Sequence, residues 1–168
     1  SQNEQGFFPG SEEERIEILS MAIDAKVAWI DLELNIPEKQ RKELAEKANK
    51  NGVKVIASEH NRDGMPSDQD IIQLVEENQS KGDIVKFCGQ CTNHHDALQV
   101  VNAAWDLKNK ELNYSIMGLS SGGDWARLHA PLFNQNMVFA TMQNEFRLSD
   151  KGLINVRDLR EAWTLLEY

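Results

Sequence analysis

Five short apolar stretches rich in β-branched residues recur along the chain, beginning near residues 27, 53, 83, 112 and 137. Successive starts lie roughly 25 to 30 residues apart, which is the chain needed for a strand, a helix and the return to a parallel neighbour. No two-residue turn joins two of these runs, so a hairpin-built sheet is excluded. The expectation is a parallel α/β fold. Right-handed crossovers then leave two architectures, an open doubly wound sheet or part of a (β/α)8 barrel. In both, functional groups gather at the C-terminal ends of the strands.

The stretches between the runs read as helices. Ser11 with Glu14 is a capping box, and Ile16, Leu19 and Ile23 follow at helical spacing. Pro37 opens a second helix that stops at Asn51-Gly52, and Ser67 caps a third carrying Ile71, Ile72, Leu74 and Val75. A fourth holds Leu98, Val101 and Trp105, and the last carries a packing stripe of Val156, Leu159, Trp163 and Leu166. The expected strands are 27–34, 53–60, 83–88, 113–120 and 137–142, with a Ser/Gly turn at 120–123.

Within the third strand stands Lys86, between Val85 and Phe87. A buried ammonium costs several kcal/mol unless it is paired or deprotonated. Deprotonation is what a Schiff-base lysine requires. The plain alternative is that Lys86 reaches the strand end or pairs with Asp31 or Glu33. Other polar residues gather at the same ends: Asp31 and Glu33 on strand one, Glu59 and His60 on strand two, Cys88 on strand three, the Ser/Gly turn on strand four. Each alone has a structural explanation, but His and Lys on adjacent strand ends point to a site.

Composition narrows the function classes. A net charge of −9 and a pI near 4.9, with no basic cluster, argue against a nucleic-acid partner. No apolar run approaches a membrane span. Two cysteines make no disulfide framework, so a reducing, cytoplasmic setting is expected. At 168 residues the chain is expected to form a single domain. Its start at Ser1 suggests a processed chain or a piece of a longer one.

The segments WIDLEL, VIASEH, GDIVK and IMGLSSGGDWAR, in that order and spacing, resemble type I 3-dehydroquinate dehydratase. GDIVKFCG and the Gly6-Phe7-Phe8-Pro9 loop look most like the dehydroquinase domain of the fungal pentafunctional shikimate-pathway polypeptide. The resemblance covers essentially the whole chain and implies a TIM (β/α)8 barrel. About five of eight strands would be present and the first three missing, making residues 1–168 the C-terminal portion of a barrel. It implies dehydration of 3-dehydroquinate, a small-molecule substrate, with neither metal nor cofactor. Lys86 matches the imine-forming lysine, and His60 the general acid/base. Glu4 falls where the family has a residue that orients the histidine. Arg127 matches the arginine that binds the substrate carboxylate, and Ser149 falls in the loop that covers the substrate. A homodimer, or association with the missing N-terminal segment, is implied as well.

The chain departs from the family pattern at four positions. Leu153 stands where a glutamine binds substrate, Asp150 adds a negative charge nearby, Asn61 replaces an aspartate after the histidine, and Leu119 replaces a methionine. These changes raise a second reading, a catalytically impaired relative acting as a regulatory or ligand-sensing module. A third comes from Cys88-Gly89-Gln90-Cys91 followed by His94 and His95, which could be a redox pair or a zinc site. The spacing suits neither well, and partly buried cysteines beside solvated histidines are the expectation.

Overall fold

The computed structural model describes residues 8–142 and 153–168. The expected positions of Glu4 and Ser149 lie outside the described residues. Four strands form one parallel sheet in the order β1-β2-β3-β4: β1 Trp29–Glu33, β2 Lys54–Asn61, β3 Ile84–Cys91 and β4 Tyr114–Ser120. The helices alternate with them: α1 Glu12–Asp24 before β1, then α2 Glu38–Lys50, α3 Asp68–Glu77 and α4 His94–Leu107 between strands. Two more follow β4, α5 Gly123–Leu128 and α6 Val156–Leu165. None of the helices among the described residues is long and apolar enough to cross a membrane.

Local chemistry sets the helix starts. Ser11 accepts from Glu14 N while its own N–H donates to Glu14 Oε2 at 2.7 Å, which completes the capping box. Ser67 caps α3 through Asp70 N, and Asn93 with Asp96 makes a second capping box on α4. Each such cap contributes about 0.5 to 2 kcal/mol.

Alternation along the strands then decides the layers, because successive side chains face opposite ways. Ile30, Leu32, Val53 and Val55 pack under α1 and α2 with Ile23, Leu44 and Ala48. Val85, Phe87, Tyr114 and Ile116 pack under α3 and α4 with Ile71, Val75, Val100 and Leu107. The strand register puts both sets on the same side of the sheet, since Leu32 pairs with Ala57, Ala57 with Val85 and Val85 with Tyr114. Strands in sequential order with these helices on one face form the wall of a barrel. An open doubly wound sheet would place helices on both faces.

Three expectations change. The 137–142 run forms no ladder strand. It lies beside β4, where Asn136 N donates to Tyr114 O and Ser115 Oγ to Met137 O, and pairs only through a parallel bridge between Thr141 and Asn155. The described sheet therefore has four strands where five were expected. The Ser/Gly turn continues into α5, which Gly122 starts at φ +80°, a conformation that suits glycine. Finally, α4 buries Ala97, Val100, Ala103, Ala104 and Leu107, while Leu98 and Trp105 are exposed. Small residues let this helix sit close to the sheet; the bulkier ones face out.

Candidate active site

The strand side facing away from the helices is polar, and the register arranges it in layers. Asp31 aligns with Ile56 and Ile84 in the lowest. Glu33, Ser58, Lys86 and Ser115 make the next, and His60, Cys88 and Met117 the one nearest the C-terminal strand ends. Such a face closes inward in a barrel, where stacked layers of side chains fill the interior.

Lys86 is buried, with 8% of its side chain exposed. Its Nζ lies 3.1 Å from Asp31 Oδ2 and 4.5 Å from the centroid of the Phe139 ring. The cation is thus paired and also held over an aromatic face, two interactions that offset its desolvation. Of the two carboxylates expected as partners, Asp31 is the one that pairs. Glu33 faces Arg15 instead, Oε2 to Nη2 at 3.5 Å. The other oxygen of Asp31, Oδ1, accepts a hydrogen bond from Ser58 Oγ, and Ser58 is fully buried.

His60 sits one layer above Lys86 on the adjacent strand, facing the same side. Strand spacing of ~4.8 Å and two residues of ~3.3 Å rise put their Cα atoms about 8 Å apart, close enough for both side chains to reach one small molecule. His60 lines an open groove of about 470 Å³ with Leu34, Asn35, Glu59, Asn61, Arg62 and Asp63. The structure therefore brings Lys86, His60 and Asp31 to one face.

Arg127 is 2% exposed, and its guanidinium is largely committed to backbone. Nε donates to Phe139 O at 3.0 Å, and Nη1 donates to Gly118 O at 2.8 Å and to Gly123 O. Burial lowers its pKa from the usual arginine value. These bonds tie the end of β4, the start of α5 and the segment bearing Phe139 into one unit. A Cβ on Gly123 would come within 2.6 Å of Gly118 O, so that approach requires glycine.

The thiols separate. Strand β3 runs through both, so Cys88 faces the lysine side and Cys91 the helix side. A redox pair would need them on one side. Burial pushes the Cys91 thiol up from 9.0 to about 11, which keeps it protonated. Among the described residues no group of three or more His, Cys, Asp or Glu could hold a metal. His94 lies at the start of α4, its ring 5.1 Å from that of Trp125.

Two contributors escaped the sequence reading. Ser58 is two residues before His60 on β2, a period-two signal that could have found it. Phe139 had no such signal, because only the path of 137–142 over the sheet carries it to Lys86.

A family model described as type I 3-dehydroquinase matches residues 1–168. The 3-dehydroquinate dehydratase of Methanocaldococcus jannaschii is 27% identical over 166 residues, covering 98% of this chain and 72% of that protein. The 3-dehydroquinate dehydratase of Methanococcus maripaludis strain C6 is 32% identical over 167 residues, covering 98% and 73%. Among solved structures, a type I 3-dehydroquinate dehydratase from Clostridium difficile, with covalently modified comenic acid, superposes with a TM-score of 0.89 at 24% identity. That match covers 99% of this chain but 66% of the other, so the chain spans just under two thirds of its length. The dehydroquinate dehydratase and shikimate dehydrogenase of S. pombe gives 0.80 at 23% identity, over 99% and 31%. These structural likenesses establish the fold, a parallel α/β arrangement that makes up part of a barrel.

Proposed function

This chain belongs to the type I 3-dehydroquinase family, and we propose that it is a lyase converting 3-dehydroquinate to 3-dehydroshikimate through an imine on Lys86. The supporting observation is a buried lysine on the inner sheet face with His60 one layer above it, at the C-terminal strand ends. As a free amine, Lys86 attacks the ketone to give a carbinolamine; a proton added to its hydroxyl leaves with it as water, and the nitrogen keeps its own proton as an iminium. That electron sink acidifies the neighbouring C–H bond. His60 removes the proton to give an enamine, then returns one to the departing hydroxyl as water leaves. Acid–base help of this kind is worth roughly 10²- to 10⁴-fold in rate.

In this reading Glu4 orients His60 and Ser149 closes over the substrate. Arg127 binds the substrate carboxylate, with Nε and Nη1 donating to three backbone carbonyls that hold the guanidinium in place. No cofactor takes part, and the protein works in the cytoplasm on a small molecule of the shikimate pathway. The activity belongs to a longer barrel, completed by a preceding segment of the same protein or by an associated chain.

One observation favours the second reading, an impaired relative that senses a ligand. Leu153 cannot make the hydrogen bonds expected of a glutamine at its position. Incubation with 3-dehydroquinate and borohydride, followed by intact-mass measurement, separates the two. Covalent capture on the parent and none on Lys86→Ala is the expected result. A folded parent that takes no adduct would leave the sensing role.

A further inference from the structure

The turn after β4 holds a hydroxyl that the proposed mechanism does not use, beside an arginine that it does. We propose that Ser120 is a second donor to the substrate carboxylate, next to Arg127, and that Gln90 is the positioning residue that aims its hydroxyl. This deepens the substrate reading given above and rests on it.

Ser120 closes β4, opposite Cys91 in the ladder. Arg127 Nη1 donates to Gly118 O, two residues before Ser120, and to Gly123 O, three residues after it. The hydroxyl therefore belongs to the same short turn that the guanidinium clasps. Alternation would send Ser120 to the helix side with Cys91, but its φ of +63° breaks the strand there. Its Oγ meets Gln90 instead, a residue that shares the face of Lys86. Gln90 stands two layers above the lysine, about 13 Å along β3, which leaves room for the lysine side chain and a six-membered ring. A ring joined to Nζ through its ketone would carry its carboxylate toward this rim. The rim lies where β3 and β4 pair, with the 137–142 run beyond them, so it owes nothing to the uncovered edge at β1.

The hydrogen bonds fix which way each group points. Gln90 Nε2 donates to Cys91 O at 3.2 Å and to Ser120 Oγ at 2.8 Å. A backbone carbonyl only accepts, so the amide nitrogen must face it and the amide cannot turn over. Ser120 Oγ accepts from that amide, and its own proton donates to no group among the described residues. The pair thus presents one aimed O–H donor beside a cation. A carboxylate offers about four acceptor sites, more than one guanidinium edge fills. A hydroxyl bonded to a carboxylate makes a charge-assisted contact, roughly twice as strong as a neutral one.

The test is steady-state kinetics on the protein that carries this chain, comparing the parent with Ser120→Gly, Gln90→Met and the double variant. Glycine removes the hydroxyl and suits the positive φ, so the backbone is left in place. Ser120→Gly should raise KM for 3-dehydroquinate roughly 20-fold, the loss of one hydrogen bond to a charged group, with kcat within a few-fold of the parent. Gln90→Met should raise KM several-fold. The double variant should be no worse than Ser120→Gly alone, because Gln90 acts through the hydroxyl. An analogue with hydrogen in place of the carboxylate should be captured by borohydride equally well on the parent and on Ser120→Gly. An unchanged KM in Ser120→Gly overturns the proposal. So does an equal loss of capture with the analogue, which would make the Gln90–Ser120 bond a clasp between strand ends and nothing more. Additive effects in the double variant would overturn the positioning role of Gln90. Absence of a Lys86-dependent adduct in the parent would instead defeat the Schiff-base reading, and would do so before any variant is compared.

Discussion

The two faces of the same four strands differ in what they bury. On the helix side, Val85, Phe87, Tyr114 and Ile116 are fully enclosed, and the one polar atom among them is engaged, with Tyr114 OH donating to Phe133 O and Ala104 O. On the other side the same strands carry Asp31, Glu33, Ser58, His60, Lys86 and Ser115. Many of those residues are buried as well. Burial on the first face is stabilising, at about 1.5 to 3 kcal/mol for each large side chain. On the second it must be offset bond by bond, through Asp31, Ser58 and the Phe139 ring for Lys86. A fold keeps a face of that kind at a cost in stability, which fits a working surface better than a structural one.

Stability and chemistry should therefore separate by face, residue by residue. The largest effect on stability should come from Phe87→Ala, which empties a fully buried position on the helix side. We expect a loss of about 3 to 5 kcal/mol in denaturant unfolding. Whatever fraction stays folded should still take the borohydride adduct. Its neighbour Lys86 should behave in the opposite way, losing the adduct in Lys86→Ala. If Phe87→Ala abolishes adduct formation in folded protein, the division between faces fails.

A smaller change should follow Asn93→Ala at the start of α4. The cap bond to Asp96 N is lost, for about 1 kcal/mol in the unfolding midpoint, with turnover unchanged. An altered turnover would show that the helix layer reaches the chemistry.

The last effect concerns the thiol on the helix side and shows only at alkaline pH. Burial raises the Cys91 thiol from 9.0 to about 11, so the folded state holds its proton after the unfolded chain has lost it. Its contribution to stability is complete below pH 9, falls as pH rises, and is gone above about 11. Cys91→Ala should flatten that alkaline limb of the unfolding midpoint against pH. An unchanged limb would mean that other groups set it.

Much of this was legible in the chain. Ser11, Ser67 and Asn93 start helices because an oxygen on a short side chain meets an orphan N–H, a local matter. Lys86 was conspicuous because a charge among β-branched residues conflicts with its surroundings. His60 stood out through its place at a strand end, which the register confirms as the inner face one layer above Lys86. Leu98 and Trp105 misled because bulk suggests a core, whereas close packing of α4 selected Ala97, Ala103 and Ala104. The 137–142 run misled because its residues suit a strand, yet a ladder also requires a partner edge in register. Arg127 showed its motif but not its backbone partners, which come from three separate segments.

The sequence by itself determined the periodic elements, the parallel class and the identity of the conspicuous side chains, because propensity, capping and alternation act over a few residues. Only the tertiary structure decided that the helices meeting both halves of the sheet lie on one face. It also chose Asp31 over Glu33 for Lys86, placed Phe139 over the ammonium and divided Cys88 from Cys91. Those outcomes depend on register between strands and on the path of distant segments, where a shift of one residue moves every side chain to the other face.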